Sequence, residues 1–233
     1  MRLGPFISLL AATYGLPERS VALVARAMRE AGWLSSGARG VNAPDMSPTD
    51  MGRLSVALLT GEPPSKVVAE FEFIRALQTK VPYPEDNFVS QADLHEGHTF
   101  EDAVIALAVA AQDSGRIIRY SDVALGSYLL EPTFTISVDR SRRTASIDTP
   151  GVRADYIDIA GEAELERLYA DRSLEFERWQ RIAELESRSI SSEISSHVVA
   201  SRGMRVVRTL TQREFYLIAE GMRGDPSSLG PEQ

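Results

Sequence analysis

The chain has 233 residues, 43% of them hydrophobic and 25% charged, with no cysteine and a formal net charge of −8 at pH 7. This composition supplies one large core or two small ones, and it excludes a disulfide framework, a thiolate metal site and a catalytic thiol. The acidic balance excludes nucleic-acid binding over the whole surface, because phosphate contacts require Lys and Arg.

The longest apolar run, Ala103 to Ala111, is too short to span a bilayer, and the opening residues lack a basic stretch followed by an apolar leader. A cytoplasmic protein with no membrane partner is expected. Charge is uneven along the chain: residues 1–43 carry Arg2, Arg19, Arg26, Arg29 and Arg39 against Glu18 and Glu30, whereas the chain beyond Lys80 is strongly acidic. Any DNA-facing surface is therefore expected near the N-terminus.

In chain order, Pro5 suits the first turn of a helix over residues 7–14, which runs into Gly15. Pro17 pre-sets a second helix through Met28 to about Gly32. A third opens at Ser47, with Pro48 at its first position and Asp50 completing a capping box, and ends near Gly61. A fourth is expected from Ser65 to about Thr79, where Val67, Val68, Phe71, Ile74 and Leu77 recur at helical spacing.

The first two helices meet the requirements of a helix-turn-helix: a small residue where the helices approach, a turn residue that tolerates positive φ, and apolar residues that lock the second helix. Ala11 is the small contact, Gly15 the turn, and Leu10, Tyr14, Leu16, Val21 and Val24 the apolar positions. Over Ile7 to Arg26 the spacing resembles the helix-turn-helix family, which implies a second helix that enters the major groove. Its outward face would offer Arg19, Ser20 and Arg26 to base edges and phosphates, with Glu18 repelling phosphate unless it meets a cytosine amine. Farther on, Arg39 lies between Gly37 and Gly40 in a segment placed like the wing of a winged helix, where it would reach a minor groove or the backbone. The same residues also fit two packed helices that touch no DNA. The region from residue 5 to about 80 looks like N-terminal domains of phage and prophage proteins, such as small terminase subunits and phage-type regulators, which implies a DNA-recognition module joined to an assembly or effector module.

From Lys80 to His98 two prolines, several acids and no helical period mark a linker. Beyond it, Thr99 and Asp102 form a capping box before an apolar helix to about Ser114. Residues from Thr133 alternate Phe134, Ile136 and Val138 with polar side chains and read as a strand. The turn at Arg140, Arg142 and Arg143 and the following residues make a hairpin, and 154–160 add a third strand. The basic turn is expected to be solvated. A long amphipathic helix from Glu162 carries Leu165, Leu168, Tyr169, Phe176, Trp179, Ile182 and Leu185, with Phe176 and Trp179 expected to close the core rather than form an interface. A strand near 204–210 and a helix capped by Thr211 and Glu214 complete the chain. The expected class is α+β: an all-helical helix-turn-helix module (1–80), a linker (81–98), an α+β oligomerisation or effector module with a small antiparallel sheet (99–223), and a disordered tail (224–233).

Other chemistry is weaker. Asp93, His95, Glu96 and His98 lie within six residues but lack the HExxH spacing, and His197 beside the Ser-rich 187–196 stretch has no nucleophile-elbow context. No phosphate-binding GxxxxGK loop is present. We therefore expect no enzyme, catalytic residue, metal or cofactor, and double-stranded DNA and a second copy of the chain as partners. Three functions fit: a transcriptional regulator, a small-terminase-like packaging protein, and a structural protein that binds no DNA.

Overall fold

The computed structural model describes residues 1–36, 44–79, 94, 97–112, 134–149, 152–170, 176–188 and 207–223. Among them are eight helices and one five-stranded antiparallel sheet, so the class is α+β as expected. The helices are α1 (Leu3–Tyr14), α2 (Glu18–Glu30), α3 (Pro48–Thr60), α4 (Val67–Arg75), α5 (Phe100–Gln112), α6 (Ile159–Ala170), α7 (Phe176–Arg188) and α8 (Gln212–Arg223). The strands are β1 (Gln78–Thr79), β2 (Thr135–Asp139), β3 (Thr144–Thr149), β4 (Val152–Ile157) and β5 (Val207–Thr211), in the spatial order β1-β4-β3-β2-β5.

At the centre lies α3, with ten of its thirteen residues buried. Its start is set locally: the Ser47 hydroxyl accepts from the Asp50 N–H, the Asp50 carboxylate accepts from the Ser47 N–H, and Pro48 occupies the first turn. Gly61, at φ 65°, stops it. α5 crosses α3 closely: a Cβ on Gly52 would lie 3.1 Å from Ile105 Cγ1. Thr99 and Asp102 cap the start of α5 reciprocally, as the sequence indicates.

The sheet presents one apolar face to these helices. Register aligns Leu210, Ile136, Ile147 and Ala154 across four strands, and all four are buried. The next row holds Arg208, Val138, Ala145 and Tyr156. The opposite face is polar, with Arg153 bridging Asp148 and Asp155. One apolar core runs from Phe6 in α1 to Met222 in α8, so the helices before residue 80 share it with α5, the sheet and α8 instead of forming a separate core.

Four expectations need correction. The fourth helix stops at Arg75, and Gln78–Thr79 instead pair with Ile157 and Tyr156 of β4. The charged segment from 162 is two helices, α6 beginning at Ile159; Leu165, Ile182 and Leu185 form a small core of their own, and Arg181 binds Glu164 across the pair. Trp179 is 48% exposed, so it closes no core, and the side chain of Phe176 is outside those described. The hairpin arginines are not simply solvated: the tip folds against α4 and the segment before it, where Arg140 meets Glu62 and Arg143 binds Glu70 through both nitrogens while stacking 3.6 Å from the Phe73 ring centre. Arg143 has φ 51°, and the Asp139 carboxylate accepts from the Ser141 and Arg142 N–H groups to hold this turn. Most of the 81–98 linker, residues 113–133 and the 224–233 tail lie outside the described residues.

Candidate nucleic-acid interface

The turn between α1 and α2 is built as the spacing requires. Gly15 adopts φ 62° and ψ 31°, the left-handed conformation that an L-residue enters at a cost. The Leu16 N–H reaches back 2.9 Å to the Ala11 carbonyl, ending α1. Pro17 then fixes the entry into α2, and the Ser20 and Val21 N–H groups bond to its carbonyl at 2.8 and 3.2 Å. Leu10 and Ala11 on α1 and Val21, Val24, Ala25 and Met28 on α2 are buried, which locks the second helix in place. Tyr14 and Leu16 pack at the edge of the same core. The Tyr14 hydroxyl lies 2.7 Å from Ser55 Oγ, tying α1 to α3, and burial pushes its phenol well above the ordinary tyrosine pKa, so it stays neutral.

The C-terminal end of α2 is fastened separately. Trp33 packs edge-on to Phe71 at 5.3 Å and donates from Nε1 to Glu72, while the Arg75 and Arg53 guanidinium groups lie 4.5 and 5.4 Å from its ring centre. Both arginines close on the buried Glu101 carboxylate of α5, and Arg53 also donates to the Trp33 carbonyl. A charge buried this deeply requires such partners. Asp50 secures the next residues, accepting from the Ser35 N–H at 2.7 Å and its hydroxyl at 2.9 Å. Held at both ends, α2 is a rigid element some 20 Å long, the size that a major groove admits.

Its outer face carries Glu18, Arg19, Ser20, Leu23, Arg26, Arg29 and Glu30, all exposed. Arg19 and Arg26, seven residues apart, share one side of the helix. Arg19 has no hydrogen bond or ion pair among the described residues. Arg26 does have one: its Nε lies 2.7 Å from Glu30 Oε1, and that carboxylate raises the arginine's pKa further. The Glu18 carboxylate accepts from Ser8 Oγ at 3.0 Å, which turns it toward α1. Ser20 lines a groove of about 410 Å³ with Leu16, Pro17, Leu23, Ala57, Gly61 and Arg208. Of the four expected DNA contacts, Arg19 and Arg26 are thus brought to one side of α2, Ser20 lies exposed about 100° around the helix at the groove, and Arg39 lies outside the described residues.

Two further cations lie near this face. Arg29, counted in the basic N-terminal stretch but not among the expected contacts, is exposed one turn beyond Arg26, as helical periodicity indicates. Arg208 comes from β5, nearly two hundred residues later, and only sheet register brings it beside Ser20. The face as a whole carries guanidinium and hydroxyl donors beside the carboxylates of Glu18 and Glu30.

His98 is buried with its Nε2 2.9 Å from the Tyr156 hydroxyl, a structural contact between the start of α5 and the sheet. Asp93, His95, Glu96 and His197 lie outside the described residues, and among those described no cluster of three or more His, Asp or Glu side chains could hold a metal. No described helix is long and apolar enough to cross a membrane. Compared with protein-family models, curated proteins and solved structures, the chain matches none of them.

Proposed function

We propose that the protein binds double-stranded DNA through the outer face of α2 and acts as a phage-type transcriptional regulator in the cytoplasm, working as a homo-oligomer. The observation that carries this reading is the left-handed Gly15 turn, which sets α2 with Val21, Val24 and Met28 buried behind it and Arg19, Ser20 and Arg26 exposed in front. Oligomerisation draws support from Trp179 and Tyr169, large aromatics left uncovered on the paired helices α6 and α7.

The test is a mobility shift on genomic DNA at two salt concentrations, comparing the native protein with an Arg19→Ala, Arg26→Ala, Arg39→Ala variant. Affinity for the native protein falls steeply with salt, and the variant loses at least about tenfold with a shallower salt slope, roughly one unit per phosphate contact removed. Equal binding by the two proteins overturns the assignment. A discrete protected site bound by a dimer marks a regulator, whereas a closed ring of subunits moves the assignment to a small-terminase-like packaging protein. Absence of salt-dependent binding leaves a structural role.

A further inference from the structure

Beside α2 lies a second feature, which shares Leu16 and Arg208 with the groove at Ser20. A half-open cleft of about 290 Å³ opens between α1, α3, β5 and the start of α8, lined by Thr13, Tyr14, Leu16, Ser55, Leu58, Leu59, Arg208, Thr209, Leu210 and Glu214. We propose that this cleft binds a small amphipathic carboxylic acid, with its carboxylate on the Arg208 guanidinium and its apolar body against Leu16, Leu58 and Leu59.

Arg208 is the key to the chemistry. Register puts it in the same row as Val138, Ala145 and Tyr156, which are buried, while Arg208 itself, at the edge of the sheet, is exposed. Its guanidinium lies against Gly61 at the end of α3; a Cβ there would come within 2.5 Å of Nε. Among the described residues it has no ion pair or hydrogen bond, in contrast to Arg53, Arg75, Arg140, Arg143, Arg153 and Arg181, each of which holds a carboxylate. An arginine on an edge strand also discourages pairing with a foreign strand. That role leaves the shape and lining of the cleft unexplained.

The cleft adds a hydroxyl pair. With Tyr14 Oη and Ser55 Oγ 2.7 Å apart, one hydroxyl donates to the other, and the acceptor keeps a proton with no acceptor among the described residues. The raised phenol pKa keeps both groups neutral donors. Size and charge then define the ligand. The volume is about twice that of a cavity that holds benzene, enough for roughly ten to twelve non-hydrogen atoms. The lining holds one cation, Arg208, and one carboxylate, Glu214, so a bound monoanion adds a single net negative charge, whereas a phosphate monoester, close to doubly charged at neutral pH, adds about two and is repelled more strongly by Glu214. A carboxylate matches the guanidinium fork of Arg208, and an apolar remainder matches Leu16, Leu58 and Leu59.

Calorimetric titration of the full chain with 4-phenylbutyrate, 4-phenylbutan-1-ol and phenyl phosphate tests this. The carboxylate is expected to bind at least about tenfold more tightly than the alcohol or the phosphate. Arg208→Met, an exposed change that breaks no ion pair, is expected to abolish that preference while leaving the melting temperature near the native value, and Thr13→Phe is expected to block all three by filling the cleft. No binding at millimolar concentration, equal binding of acid and alcohol, or an unchanged preference in Arg208→Met overturns the proposal. The titrations contain no DNA and leave Arg19, Arg26 and Arg39 untouched, so their outcome is independent of whether the protein binds DNA.

Discussion

Asp50 is 2% exposed, yet its carboxylate has four donors: the N–H and hydroxyl of Ser35 and the N–H and hydroxyl of Ser47. Burial alone would push the carboxyl up, but these hydrogen bonds more than offset it and hold its pKa below the ordinary carboxylate value. The folded carboxyl therefore titrates below the unfolded value of about 3.9, and its stabilisation is complete above that pH and lost as pH falls through the folded pKa. Asp50→Asn turns an amide donor toward donors and is expected to cost about 2 kcal/mol at neutral pH. In urea unfolding, the gap between native and variant should close below pH 4; a gap that persists there would show that the stabilisation does not come from the ionised form. Glu30 supports a different expectation. It neutralises Arg26 from a position where both side chains are more than half exposed, so the pair adds little stability. Glu30→Ala should leave the melting temperature unchanged and raise DNA affinity several-fold at low salt by freeing a cation and removing a carboxylate from the α2 face. Weaker binding in this variant would mean that α2 does not face the phosphates.

At the scale of the element, Gly15 separates conformation from packing. A Cβ placed on it meets nothing within 4 Å, so Gly15→Ala meets no steric clash, only the left-handed backbone. A loss of about 1–2 kcal/mol is expected in chemical denaturation, with Gly15→Asn losing less because asparagine tolerates that region. Equal losses for the two variants would place the cost elsewhere. This turn was legible because φ, capping and small-residue spacing are local; so was α3, whose Ser47, Pro48 and Asp50 signal its start within four residues. The misread elements are those that a distant partner defines. Gln78 and Thr79 have no strand pattern of their own and become β1 only through Ile157 and Tyr156 of β4. The apolar period continues across Leu168, Phe176 and Trp179 as if one helix ran through them, but Leu165 folds back onto Ile182 and Leu185. Arg208 joins the cleft because register places it beside Val138 and at the end of α3. Nothing within a few residues of any of these reveals its neighbour.

For the whole molecule, the central question is whether the N-terminal helices are a detachable module. A Pro-rich, acidic stretch near residue 80 marks a boundary in composition, but α3 has no outer surface there: its buried side chains reach α2 and α4 on one side and α5, β2 and β5 on the other. Gly52 touches Ile105, Arg53 and Arg75 both need Glu101, and Leu9 of α1 packs against Gly221 of α8. A fragment of residues 1–80 would expose the α5-facing side of α3 and leave two guanidinium groups without their shared carboxylate. Such a fragment is expected to show helical dichroism without a cooperative thermal transition, and to bind DNA far more weakly than the full chain, although it keeps Arg19, Ser20, Arg26 and Arg39. A fragment that melts cooperatively and retains native affinity would show that the N-terminal helices stand alone. In the intact protein the same reasoning ranks the parts: α3 and α5 amides should exchange with solvent only on global unfolding, and α6 and α7, joined to each other by Leu165, Ile182 and Leu185 outside the main core, should exchange first.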